Sequence, residues 1–142
     1  MKSLAREEQA RLTEACASVG VVALYAHGSQ VHGRRNSESD LDFAFLLAHA
    51  ALAPPAVNRL LPLLAELYES EEFQIDLQDL RGAPPLFRWR VIENGRLLVC
   101  LDTNQLARFH AASISEERDR EYFLKPIREA MHARIRSGRF AS

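Results

Sequence analysis

Asp40 and Asp42, in "SDLDFAFLL", stand two positions apart at the start of an apolar run. On a strand, residues two apart leave the same face, so the two carboxyl groups lie close together. Like charges placed this way repel unless a cation sits between them. A hard divalent ion such as Mg²⁺ accepts a few carboxylate oxygens and keeps positions open for water and phosphate. Upstream, Gly28 and Ser29 end the apolar run "VVALYA" plus His27, and the polar run "GRRNSESD" follows shortly after. Glycine lets the backbone come close to a ligand, and a short helix opening at Ser29 would offer free N–H groups to a phosphate. A third carboxylate, Asp76, stands within "FQIDL", where a buried strand would normally hold an apolar residue. If the strands carrying Asp42 and Asp76 are neighbours, three carboxylates cluster opposite a phosphate cradle. That combination suits nucleotidyl transfer, in which a hydroxyl attacks a nucleoside triphosphate and pyrophosphate leaves. Taken singly, a paired aspartate, a Gly-Ser turn and an aspartate on a strand each have bland explanations. Their order along the chain carries the reading.

The elements that must hold these residues follow from the apolar pattern. Residues 3–18 read as a helix, with Leu12, Cys16 and Val19 near helical spacing. Residues 21–26 and 41–47 read as buried strands, the second with the imperfect alternation of a strand covered on both faces. An amphipathic helix carries Val57, Leu60, Leu61, Leu64, Leu67 and Tyr68, with Pro55 in its first turn. Residues 73–77 read as the third strand. Pro84-Pro85 and Asn94-Gly95 bracket another helix, and "RLLVC" (96–100) is a fourth strand. Residues 103–137 are helical, and Pro126 is expected to kink or divide that segment. The order α-β-α-β-α-β-α-β-α gives an α/β (α+β) fold, a small mixed sheet flanked by helices with a helical tail. The expected organisation is one domain over 1–142, with a core over about 10–101 and the tail over about 103–137.

Composition narrows the partners. With 142 residues, 47% apolar and 26% charged, the chain can bury a sizeable core as a globular protein. A formal net charge of -1 gives no basic excess for stable nucleic-acid binding. Cys16 and Cys100 have neither metal-site nor CxxC spacing, and read as reduced core residues of a cytoplasmic protein. The start "MKSLAREEQARL" lacks the apolar stretch of a signal peptide, and no run approaches the length of a membrane span.

The stretch "GSQVHGRRNSESDLD" resembles the G-S-x10-D-x-D signature of the polymerase-β-like nucleotidyltransferase superfamily, with residues 30–39 as the spacer. Together with "FQIDLQDL", "LFRWRVIENGRLLVC" and the helical tail, it looks like the minimal nucleotidyltransferases. Within these it is similar to the MntA antitoxins that are paired with HEPN-domain toxins. The similarity covers roughly residues 10–135, with sharp motifs in the first half alone. The resemblance implies that Asp40, Asp42 and Asp76 are catalytic and hold Mg²⁺, as two ions. Gly28 and Ser29 would bind the nucleotide phosphates. ATP would be the donor, and AMP would pass to a tyrosine of a HEPN RNase toxin, inactivating it within a hetero-oligomer. Three rivals remain: a small-molecule enzyme of the aminoglycoside-modifying type, an antitoxin acting by binding alone, and an RNA-modifying transferase. The basic tail and the little chain left after residue 102 argue against the first, the three carboxylates against the second, and the net charge against the third.

Other residues rank lower. Arg34 and Arg35 lie in the spacer, where a guanidinium suits a triphosphate but a solvated loop is the simpler account. Arg88 and Arg90 flank Trp89, and either one of them faces the active-site cleft or, as the simpler account, both belong to a surface helix face. His27 reads as structural, and Asp79 as the cap of the next helix. Tyr122, Phe123 and the basic "KPIREAMHARIR" segment are candidate partner contacts, or simply a packed terminal helix.

Overall fold

The computed structural model describes residues 1–28, 31 and 40–138. Helix α1 (Arg6–Ser18) opens where Glu8 accepts a hydrogen bond from the Ala5 N–H at 2.9 Å, so residues 3–5, expected to be helical, precede it. Strands β1 (Val21–His27) and β2 (Leu41–Leu47) follow, then helix α2 (Ala53–Leu67). Strand β3 (Ile75–Asp79), helix α3 (Pro85–Asn94), strand β4 (Arg96–Cys100) and helix α4 (Thr103–Arg136) complete the described order. The short helix expected at Ser29 lies outside the described residues.

The sheet order is β3-β2-β1-β4. Strand β1 is antiparallel to both β2 and β4, whereas β2 and β3 are parallel. A mixed sheet flanked by helices is thus the fold that the pattern predicts. Both faces are covered, which explains the near-continuous apolar content of β1 and β2. On one face Phe43, Phe45 and Leu24 pack with Leu12 and Cys16 of α1 and with Leu60 and Leu64 of α2. On the other, Tyr25, Ala44 and Leu46 pack with Val91 of α3 and Phe109 of α4. Odd-numbered residues of β2 therefore face α1 and α2, and even-numbered ones, Asp42 among them, face the α3/α4 side.

Three expectations need correction. Strand β3 starts at Ile75, because residues 72–74 form a 3₁₀ turn in which Gln74 Oε1 accepts from the Glu71 N–H at 3.0 Å. Phe73 is exposed there instead of lying in the sheet, and Asp76 is an exposed second residue of the strand. Pro126 does not divide the tail: α4 runs unbroken from Thr103 to Arg136. A proline leaves the carbonyl four residues earlier without its N–H partner, and here that residue is the well-exposed Tyr122, whose carbonyl water can satisfy. Cys100, finally, is half-buried, and of the two cysteines Cys16 alone is a core residue.

The cysteine difference is measurable. Burial pushes the Cys16 thiol up to about 12, leaving almost no thiolate at neutral pH. A thiol-labelling time course on the native protein is expected to modify Cys100 readily and Cys16 only after denaturation. Two fast-labelling thiols would contradict the packing of α1 on the sheet.

Candidate active site

The carboxylates meet where two strands start and a third ends. In the β2–β3 register Asp42 pairs with Asp76, and in the β1–β2 register Asp42 pairs with His27. Neighbouring strands lie roughly 4.8 Å apart, so His27, Asp42 and Asp76 form one row across three strands. All three belong to the face that carries Tyr25 and Ala44, just past the edge of α3. Asp40 precedes β2 on the exposed side, and its charge is felt at Asp42. Gly28 ends β1 with φ of +79°, a conformation that L side chains rarely adopt. A Cβ at Gly28 would stand 2.5 Å from Asp42 Oδ2, so the backbone of this turn lies directly against the carboxylate.

Burial and the neighbouring charges set the electrostatics of this row. Burial raises the Asp42 pKa above its ordinary value; His27 pulls it back, and the charges of Asp76 and Asp40 raise it further. Burial lowers the His27 pKa, against the pull of Asp42, a backbone hydrogen bond to Phe43 and the pull of Asp76. Its Nε2 has no hydrogen-bond partner among the described residues, and its ring stands edge-on to Phe87 at 5.5 Å between centroids. Asp76 Oδ2 accepts from Gln78 Nε2 at 2.8 Å, which holds that carboxylate along its own strand. Among the described residues no three His, Cys, Asp or Glu side chains converge tightly enough to enclose a metal. The donor set is hard carboxylate oxygen in an open cradle against Gly28. It suits a divalent ion whose coordination is completed by phosphate oxygens and water, in preference to a closed all-protein cage.

Ser29, Arg34 and Arg35 lie outside the described residues. Arg88 turns inward: its Nε donates to the Leu80 carbonyl at 2.9 Å, Nη2 to the Arg81 carbonyl at 2.9 Å, and Nη1 to Glu116 at 3.0 Å. With its guanidinium over the Phe109 ring it ties α3 to α4, away from the carboxylates. Arg90, in contrast, lines a pocket of about 300 Å³ with His27, Gly28, Phe87 and Asn94. Asp79, expected to cap the next helix, instead ends β3 and caps the 3₁₀ turn 80–82, accepting from the Arg81 N–H at 3.0 Å, while Pro84 is the N-cap of α3. Phe87 and Asn94, which line the pocket at His27, and Gln78, which bonds Asp76, are not singled out by the sequence pattern. Counting alternate residues from the buried Tyr25 would have put His27 on the face of Asp42. A larger cleft of about 830 Å³ lies around Arg81, Arg108 and Phe109, but it opens beside Ala48 and His49. That is the far end of β2, roughly 20 Å from Asp42 at strand spacing.

The family described as "Polymerase beta, Nucleotidyltransferase" matches residues 11–104, from α1 to the start of α4. The chain belongs to this nucleotidyltransferase family. Its match spans the Gly28 turn, Asp40, Asp42 and Asp76. Solved structures of similar fold include a toxin–antitoxin complex with AMP-PNP, at 23% identity and a TM-score of 0.66, covering 87% of this chain and 98% of the other. An MntA–HepT toxin–antitoxin structure matches at 21% identity and a TM-score of 0.61, covering 90% and 99%. The complex of a tri-AMPylated Shewanella oneidensis HEPN toxin with its MNT antitoxin also matches at 21% and 0.61, covering 89% and 98%. No curated protein sequence matches the nucleotidyltransferase significantly. None of its described helices is long and apolar enough to cross a membrane.

Proposed function

We propose that this nucleotidyltransferase is a protein adenylyltransferase and antitoxin, which moves AMP from ATP to a tyrosine of a cognate HEPN-domain toxin in the cytoplasm. The observation that carries the reading is the in-register pairing of Asp42 with Asp76 beside the left-handed Gly28, in a chain of this family. The complexes of similar fold support it, since one was solved with AMP-PNP and another contains an AMPylated HEPN toxin.

Asp40, Asp42 and Asp76 would hold Mg²⁺, which when bound neutralises the triphosphate and lowers the pKa of the attacking hydroxyl. Gly28 and Ser29 accommodate the phosphates, Gly28 because its missing Cβ leaves the backbone open beside Asp42. Asp76, the more exposed of the paired carboxylates, would take the proton of the acceptor hydroxyl. His27, whose pKa burial lowers, stands beside Asp42 at the edge of this cradle.

The test is direct. The chain is incubated with Mg-ATP and its cognate HEPN protein, and the partner's intact mass is measured. Addition of one or more AMP groups is expected, absent in an Asp40→Asn/Asp42→Asn double variant. Full neutralisation of the toxin with no change in its mass would replace the proposal with an antitoxin that acts by binding alone.

A further inference from the structure

Helix α4 is longer than the body it packs on. Its buried residues are Phe109 and Ser113, and from residue 114 to 136 it runs on for about 35 Å at 1.5 Å per residue. Along that length Phe123, Ile127, Met131 and Ile135 recur every four residues, and the first three are 70%, 54% and 58% exposed. Ile127 follows Phe109 by five full helical turns, so the stripe continues the face that packs on the sheet. An extended single helix of this kind draws little stability from propensity alone, so an uncovered apolar face marks a surface meant for another molecule.

The stripe is connected to the carboxylates. The pocket at His27 and Gly28 is walled by Phe87 and Arg90. Those two residues also wall a second pocket, of about 270 Å³, closed on its other side by Glu117 and Arg120 of α4. The two pockets thus adjoin at Phe87 and Arg90, and the second borders α4 just before Tyr122 and Phe123. Charge distinguishes the kind of occupant. On the arm, Arg120 pairs with Glu117 at 3.2 Å and Arg128 with Glu121 at 2.6 Å. Lys125 and Arg136 have no carboxylate partner among the described residues, and residues 125–136 hold four basic residues against Glu129 alone.

We propose that the exposed half of α4 seats the protein acceptor. An apolar, acid-rimmed face of the partner packs along Phe123, Ile127 and Met131, and its acceptor segment reaches Asp42 and Asp76 past the adjoining pockets at Phe87 and Arg90. This deepens the adenylyl-transfer reading and rests on it. The seat explains how a small chain selects one protein substrate: the arm provides binding energy remote from the reacting atoms, which positions the hydroxyl without adding contacts around it.

An Ile127→Glu/Met131→Glu variant tests the seat, because both side chains are exposed and the fold does not depend on them. Its KM for the HEPN partner is expected to rise at least tenfold, with ATP affinity and melting temperature unchanged. A Lys125→Glu/Arg136→Glu variant is expected to weaken partner binding and flatten its salt dependence. Wild-type binding and transfer in both variants would overturn the docking surface. Binding through the arm with no transfer by the wild type would overturn the reaction and leave the docking surface standing. Sedimentation of the chain alone supplies the remaining arm. A dimer that the glutamate variant dissolves would assign the stripe to a second copy and overturn the proposal.

Discussion

Replacing Asp42 with asparagine is expected to reduce AMP transfer by at least roughly a thousandfold, about 4 kcal/mol of transition-state stabilisation, without lowering the melting temperature. The two halves of that expectation have one cause. Asp42 is pressed by burial and by Asp76 and Asp40, and its pKa is raised above the ordinary value. For an acid, a raised folded-state pKa means that the native protein binds the proton more tightly than the unfolded chain. The ionised group therefore costs stability, and the cost appears as pH rises from the unfolded pKa through the folded one. A neutral, nearly isosteric asparagine removes that cost and leaves the β2–β3 register intact. A side chain chosen for stability would not behave this way. The check is intact-mass kinetics on the partner alongside thermal denaturation in metal-free buffer. Near-normal transfer would remove Asp42 from the site, and a lost fold would make it structural.

The same conflict explains why the site was legible in the sequence. Local pattern specifies most elements well: strand β2 has the predicted limits, and α3 lies between the prolines and the glycine that bracket it. Asp40, Asp42 and Asp76 stood out because each contradicts the apolar run beside it, and the structure brings Asp42 and Asp76 into register. What the pattern missed depends on contacts between distant segments. The start of β3 was misplaced since Phe73 has strand propensity, whereas Gln74 and Glu71 close a turn around it. His27 acquires its place only once α3 sets Phe87 against it. Arg88 looked like a surface residue by spacing, yet two carbonyls of the turn after β3 and a carboxylate on α4 draw it inward. The apolar stripe of α4 read equally as a partner contact or as a packed terminal helix, because spacing tells which face is apolar, not whether the protein itself covers it.

Gly28→Ala should harm both the fold and the reaction, and the two losses can be separated. The residue sits at φ +79°, where a non-glycine residue pays backbone strain, and its new Cβ would meet Asp42 Oδ2 at 2.5 Å. Strain and clash together are expected to cost about 1–3 kcal/mol of stability, measured by denaturant unfolding. Transfer is expected to fall about a hundredfold, because the methyl group displaces the Asp42 carboxylate and fills the approach to the turn where the phosphates belong. Moving the substitution into an Asp42→Ala background removes the atom that the methyl meets. The stability cost there should shrink to the backbone term alone, near 1 kcal/mol, and the difference is the coupling between the turn and the carboxylate. An equal cost in both backgrounds would mean that Gly28 is needed for its conformation only. The turn would then be a neighbour of the aspartate pair and not part of the same cradle.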